Sequence, residues 1–181
     1  MLRIYSSHEY RDRIWIFMEI MDTDLTEIIS KNFETYTENV VKYILKRALI
    51  GLAHLHRMNI IHRDIKSDNV LVNSKGSLKL ADFGYSTRLA SAEDNRLSRV
   101  GTMAWMAPEI IRGKKMGYNT SIDIWSFGIM AVELAHGDAP NIKKTQAEML
   151  RGILRDPSPT LGSRWSPQFQ DFVDQCLIKD P

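Results

Sequence analysis

The segment from Thr120 to Ala135 constrains this chain most. Ile122, Ile124, Trp125, Phe127, Ile129, Met130, Val132 and Leu134 point all round a helix instead of along one stripe. A helix of that kind is buried on most sides, so the rest of the chain has to surround it. Thr120 or Ser121 can cap its start, and Gly137 can end it.

Other periodic stretches supply the surroundings. Thr35 to Met58 reads as a one-faced helix, with Val41, Ile44, Leu45, Ala48, Leu49, Leu52 and Leu55 at i, i+3, i+4, i+7 spacing. Thr35 and Glu38 fit a capping box at its start. His54 and His56, near its end, read as helix-terminus residues with no metal cluster around them. Gln146–Leu154 and Gln168–Leu177 are two more helices, and Asp156-Pro157-Ser158-Pro159 connects them. Asp22 to Lys31 is a short helix with Asp22, Thr23 or Asp24 as N-cap candidates. Ile14-Trp15-Ile16-Phe17-Met18 reads as a buried strand. Val70–Val72 and Leu78–Leu80 flank a polar five-residue turn and predict a hairpin. Asp82 to Glu109 has little periodicity, and a loop that long inside a compact domain is usually functional.

Composition narrows the classes. A chain of 181 residues fits one domain, and 44% hydrophobic with 25% charged residues excludes a disordered chain. With 24 Lys and Arg against 22 Asp and Glu, the net charge of +2 is too small for a nucleic-acid domain. The single Cys176 excludes an internal disulfide and reads as a small buried hydrophobe. No apolar run is long enough to span a membrane, and the first residues lack a signal-peptide core. A reducing, cytoplasmic setting is therefore expected.

Three motifs stand in order within 62–109: His62-Arg63-Asp64-Ile65-Lys66-Ser67-Asp68-Asn69, then Asp82-Phe83-Gly84, then Ala107-Pro108-Glu109. In this order the chain resembles a eukaryotic protein kinase over essentially its whole length. The resemblance implies an α+β, protein-kinase-like fold: 1–21 as the last strands of the small lobe and the hinge, 22–181 as an incomplete large helical lobe. It implies transfer of the γ-phosphoryl group of ATP to a protein hydroxyl, a reaction that needs positioning and charge neutralisation more than covalent help.

By that resemblance, Asp64 accepts the proton of the substrate hydroxyl. Lys66 neutralises charge on the transferred group, and Thr102 holds both in place. Asn69 and Asp82 supply oxygen ligands to Mg²⁺, which prefers such donors. His62 and Phe83 pack in the regulatory core. Met18 is the gatekeeper, the backbone of Glu19 and Met21 meets adenine, Leu71 packs beneath the ring, and Asp24 lies near the ribose. Lys66 and Thr102 fit serine/threonine kinases. Ser98 is the activation-loop phosphosite, with Arg63 pairing its phosphate. The stretch from His62 to Lys115 carries ten Lys and Arg against six Asp and Glu, which suits ATP and a phosphorylated loop. The expected partners are protein substrates and an upstream kinase, or a second copy phosphorylating in trans.

His62 to Leu71 looks like PAK-type kinases of the sterile-twenty group, and Glu133 to Pro140 is similar to that group's germinal-centre kinases. Met103-Ala104 before Trp105 departs toward the tyrosine-kinase-like kinases. No G-x-G-x-x-G loop precedes Gly51, the first glycine, and no Lys precedes Lys31. The expectation is a kinase cut at both ends, weak in nucleotide binding by itself, with Glu109 deprived of its Arg partner. The alternative function is a catalytically inactive module that binds protein partners.

Overall fold

The computed structural model describes residues 2–90, 98–113 and 117–180. It begins with an antiparallel hairpin, β1 (Ile4–Tyr10) and β2 (Arg13–Met18). Arg11 and Asp12 join the strands with positive φ of 51° and 56°, the backbone that a two-residue turn needs to match strand twist. The run at 14–18 is a strand as expected, but it is not buried: Ile14 is 75% exposed and Met18 42%. β-branched and aromatic composition reports strand propensity, whereas burial needs a layer laid over the strand. Among the described residues none covers it.

β3 (Thr23–Asp24) leads into α1 (Leu25–Asn32). Of the three cap candidates Asp24 is the one, its Oδ1 accepting the Glu27 N–H at 2.9 Å. α2 (Glu38–Arg57) buries Val41, Ile44, Leu45, Ala48, Leu52 and Leu55, each worth about 1–3 kcal/mol of removed apolar surface. The expected Thr35–Glu38 capping box does not form. Thr35 closes a 3₁₀ turn by donating to the Asn32 carbonyl at 2.7 Å. Glu38 instead accepts from the N–H and hydroxyl of Ser166, at 2.7 and 2.5 Å, and from Lys42. That contact, 128 residues away in sequence, displaces the local one; Lys42 chiefly, and then Ser166, pulls the Glu38 pKa down to about 2.

β4 (Ile60–Ile61) follows α2, and β5 (Val70–Val72) pairs with β6 (Leu78–Leu80) as the predicted hairpin. Asn73 Oδ1 closes its turn by accepting from Lys75 and Ser77 N–H. β3 pairs with β5, and β4 with β7 (Thr87–Arg88). α3 (Pro108–Arg112) comes next. Glu109, in its first turn, is half-buried and accepts the Ser121 hydroxyl at 3.3 Å.

α4 (Ser121–His136) forms the centre, with 13 of its residues buried. Its start is capped by Asn119 Oδ1, which accepts the Ser121 N–H at 2.9 Å, and neither Thr120 nor Ser121 supplies a side-chain cap. Gly137 ends it at φ 89° as expected. α5 (Gln146–Arg155) has a complete capping box from Thr145 and Glu148. α6 (Pro167–Cys176) crosses α4 at Gly128, where a Cβ would come within 2.8 Å of Cys176 and Leu177. Helices around a central helix, with small antiparallel sheets, match the expected α+β class.

Candidate active site

Residues 62–69 link β4 to β5, and the central helix fixes them by their backbone. Asp123, in the first turn of α4, is fully buried. Its Oδ2 accepts the His62 N–H and its Oδ1 the Arg63 N–H, both at 2.8 Å. His56 Nε2 lies 2.9 Å from Oδ2. A buried carboxylate is stable only when its lone pairs are filled, and here the donors come from the loop itself.

His62 carries the connection onward. Its Nε2 donates to the Ala81 carbonyl at 3.0 Å, and its ring packs on Phe83 with centroids 5.0 Å apart. With the proton on Nε2, Nδ1 is the acceptor toward the Asp64 N–H at 3.4 Å. Burial pushes the His62 pKa below its ordinary value, and Asp123, Asp64 and Asp82 pull it partly back. Both motif carboxylates therefore act on one buried ring.

Asp64, 4% exposed, is held on both oxygens. Oδ1 accepts from Thr102 N–H at 2.9 Å and from its hydroxyl at 2.7 Å. Oδ2 accepts from Asn69 Nδ2 at 2.9 Å, with Lys66 Nζ at 3.8 Å. Asn69 Nδ2 also donates to the Asp64 carbonyl at 2.8 Å. Both bonds use the amide nitrogen, which leaves the Asn69 side-chain oxygen as a donor for a hard cation. The Ala81 N–H donates to the Asn69 carbonyl at 2.9 Å, so Asp82 follows one residue from Asn69. Asp82 is exposed, with one oxygen accepting the Gly84 N–H at 3.1 Å.

Among the described residues no group of three or more His, Cys, Asp or Glu could hold a metal ion. One amide and one carboxylate suit Mg²⁺, which takes its remaining ligands from phosphate and water. Arg63 and Asp82 both have left-handed backbone, at φ 70° and 56°. In residues other than glycine this costs on the order of 1–3 kcal/mol each and persists only where the surroundings enforce it.

Comparison with known proteins gives the family. The model of the protein kinase domain matches residues 1–181. This chain belongs to the protein kinase family. It is 44% identical over 173 residues to the serine/threonine-protein kinase pakB of Dictyostelium discoideum, covering 93% of the chain and 20% of that relative. It is 40% identical to the serine/threonine-protein kinase fray2 of the same organism, over 98% of the chain and 18% of the relative. It is 41% identical to mouse myosin-IIIb, over 93% of the chain and 14% of the relative. These relatives are sterile-twenty-group kinases, as the motifs implied, and the chain spans about a fifth of their length or less.

In this kinase domain Arg63 and Ser98 meet: Arg63 Nη1 donates to the Ser98 hydroxyl at 2.8 Å. Arg63 Nη1 also donates to the Tyr118 hydroxyl at 3.1 Å, and Tyr118 donates to the Ser98 carbonyl at 2.6 Å. Arg63 Nε reaches the Tyr85 carbonyl. No sequence signal pointed to Tyr118, which lies in an irregular stretch before α4.

Asp24 pairs with Leu71 in the β3–β5 register, and the Asp22 N–H donates to the Val72 carbonyl at 3.0 Å. Met21 is half-buried. The Glu19 N–H donates to the Arg3 carbonyl at 2.9 Å. Its side chain takes Lys79 Nζ at 2.6 and 2.5 Å, and that bond chiefly lowers its pKa. Asp24, expected near the ribose, spends its Oδ1 on the α1 cap.

Asp123 and His56 were missed, and so was Glu133, which accepts from Ser67 and Trp105. The signal for Asp123 and Glu133 was present: each is a charge set in an otherwise apolar helix that is buried all round.

Proposed function

We propose that this kinase domain transfers the γ-phosphoryl group of ATP to a serine or threonine hydroxyl of a protein substrate. The observation that carries the reading is the Asp64 carboxylate, buried and oriented by Thr102 and Asn69, with Lys66 beside it. Asp64 receives the hydroxyl proton as the oxygen attacks. Lys66 offsets the negative charge on the transferring group. Thr102 and Asn69 stop the carboxylate from rotating, so its free lone pairs stay aimed. Asn69 and Asp82 would hold Mg²⁺, which when bound would neutralise phosphate charge. The backbone at Glu19 and Met21, with Leu71 beneath, receives the adenine; 1–21 forms the last small-lobe strands and the hinge.

Phosphorylation of Ser98 places a dianion against Arg63 and orders the loop that carries Thr102. An upstream kinase or a second copy would add that phosphate, in the cytoplasm. In the full-length protein, Asp64→Asn is expected to lower the rate of phosphate transfer from radiolabelled ATP at least ~10²-fold, the low end for a general base. Wild-type activity in that variant would reject the role.

A further inference from the structure

Three carboxylates are buried among the described residues: Asp64, Asp123 and Glu133. The first sits at the reaction and the second anchors the loop. Glu133, 5% exposed near the end of α4, has no task in the chemistry above.

Its partners come from two different arms of the site. Oε1 accepts the Ser67 hydroxyl at 2.5 Å, and Oε2 faces the Ser67 N–H at 3.4 Å. Oε2 also accepts the Trp105 indole N–H at 3.2 Å. Ser67 lies between Lys66 and Asn69 on the arm that carries both. Trp105 closes the 3₁₀ turn that Thr102 opens, its N–H donating to the Thr102 carbonyl at 3.0 Å. The Trp105 carbonyl in turn accepts the Ser126 hydroxyl of α4 at 2.7 Å. Ser67 Oγ meets Thr26 Oγ1 of α1 at 2.7 Å, which extends the chain of bonds to a fourth element. Both arms end on Asp64, and a single carboxylate spans their bases.

We propose that Glu133 is a positioning residue: it sets the separation of the two arms, and through it the placement of Lys66 and Thr102 about Asp64. The proposal rests on the reading of Asp64 as proton acceptor. The three hydrogen bonds of Glu133 are all accepted from donors, so the ionised form fits and a proton on it would displace one of the bonds. Burial raises its pKa to about 7, the Ser67 and Trp105 bonds oppose the rise, and Asp68 adds to it. Lys66 Nζ lies 6.0 Å from the Trp105 ring centre, and the α1 residue bonded to Ser67 is the uncharged Thr26. Positioning is therefore complete above neutrality and weakens as Glu133 takes up its proton.

Steady-state kinetics of the full-length protein between pH 6 and 9 test this. Glu133→Gln is expected to lower kcat by ~10–10²-fold, the scale of a small misplacement of reacting groups. The KM for ATP should move less than ~2-fold, since nucleotide binding is not its task. The fall in wild-type kcat through about pH 7 should be absent from the variant. Ser67→Ala and Trp105→Phe should combine to less than the product of their single effects, because both act through one carboxylate. A Glu133→Gln variant with wild-type kcat and pH profile overturns the proposal. Should that variant fail to fold, as read by circular dichroism, strictly multiplicative effects of Ser67→Ala and Trp105→Phe overturn it instead. A wild type without transferase activity, or an Asp64→Asn variant as active as wild type, removes the functional reading and this inference with it. An active wild type indifferent to Glu133 removes only the inference.

Discussion

Removing the Asp123 carboxylate tests how the core controls the site. In Asp123→Ala the N–H groups of His62 and Arg63 both lose their acceptor inside a buried region. Each orphaned buried donor costs about 1–3 kcal/mol, so the variant should lose roughly 2–6 kcal/mol, a large share of a typical ~5–15 kcal/mol total. His56, with its side chain 17% exposed, can turn partly to water and adds little. Asp123→Asn keeps one oxygen and presents an NH₂ group where the other stood. It should therefore orphan a single N–H and lose about 1–3 kcal/mol. The expected order is wild type, then Asn, then Ala, separated by about one donor each. Urea titration followed by tryptophan fluorescence reads the order, since Trp105, Trp125 and Trp165 are all buried. Amide hydrogen exchange adds a local reading: protection should fall at one of the two amides in Asn and at both in Ala. Equal stability of all three proteins within about 0.5 kcal/mol, or protection retained at both amides in Ala, would refute the reasoning.

Gly101 has φ 112°, and a Cβ there would sit 2.5 Å from the Arg63 carbonyl oxygen, so Gly101→Ala should lower the melting temperature and reduce phosphate transfer together. An unchanged melting temperature in a thermal scan would show that this backbone yields without cost. Burial raises the Cys176 pKa to about 11, so the native thiol should resist Ellman's reagent at pH 8 and react once urea unfolds the protein.

Much of this site was legible because phosphate transfer requires particular residue types close together in sequence. Asp64, Lys66 and Asn69 lie within six residues, and the local turn suffices to gather them. Thr102 lies 38 residues from Asp64, and only the shared motif pattern pointed to it. The α4 pattern correctly required a central helix, because burial on all sides is a property of one segment. The periodicity did not reveal what Asp123 and Glu133 hold, since their partners lie 60 or more residues away or in an aperiodic loop. The Thr35–Glu38 pair failed for the same reason: Ser166 offered Glu38 two donors where Thr35 offered a local motif. The run at 14–18 declared its strand but not its surroundings, which sequence composition does not encode.

The left-handed backbone at Arg63 and Asp82 bears on protein engineering. A common route to a hardier domain is to replace such residues with glycine, which relaxes the conformation at no steric penalty. Here that route would erase the guanidinium that meets Ser98 and the carboxylate proposed to hold Mg²⁺. Glycine replacement is therefore better aimed at the other left-handed positions, Arg11, Asp12, Asn59 and Asn141, which the proposed chemistry does not use.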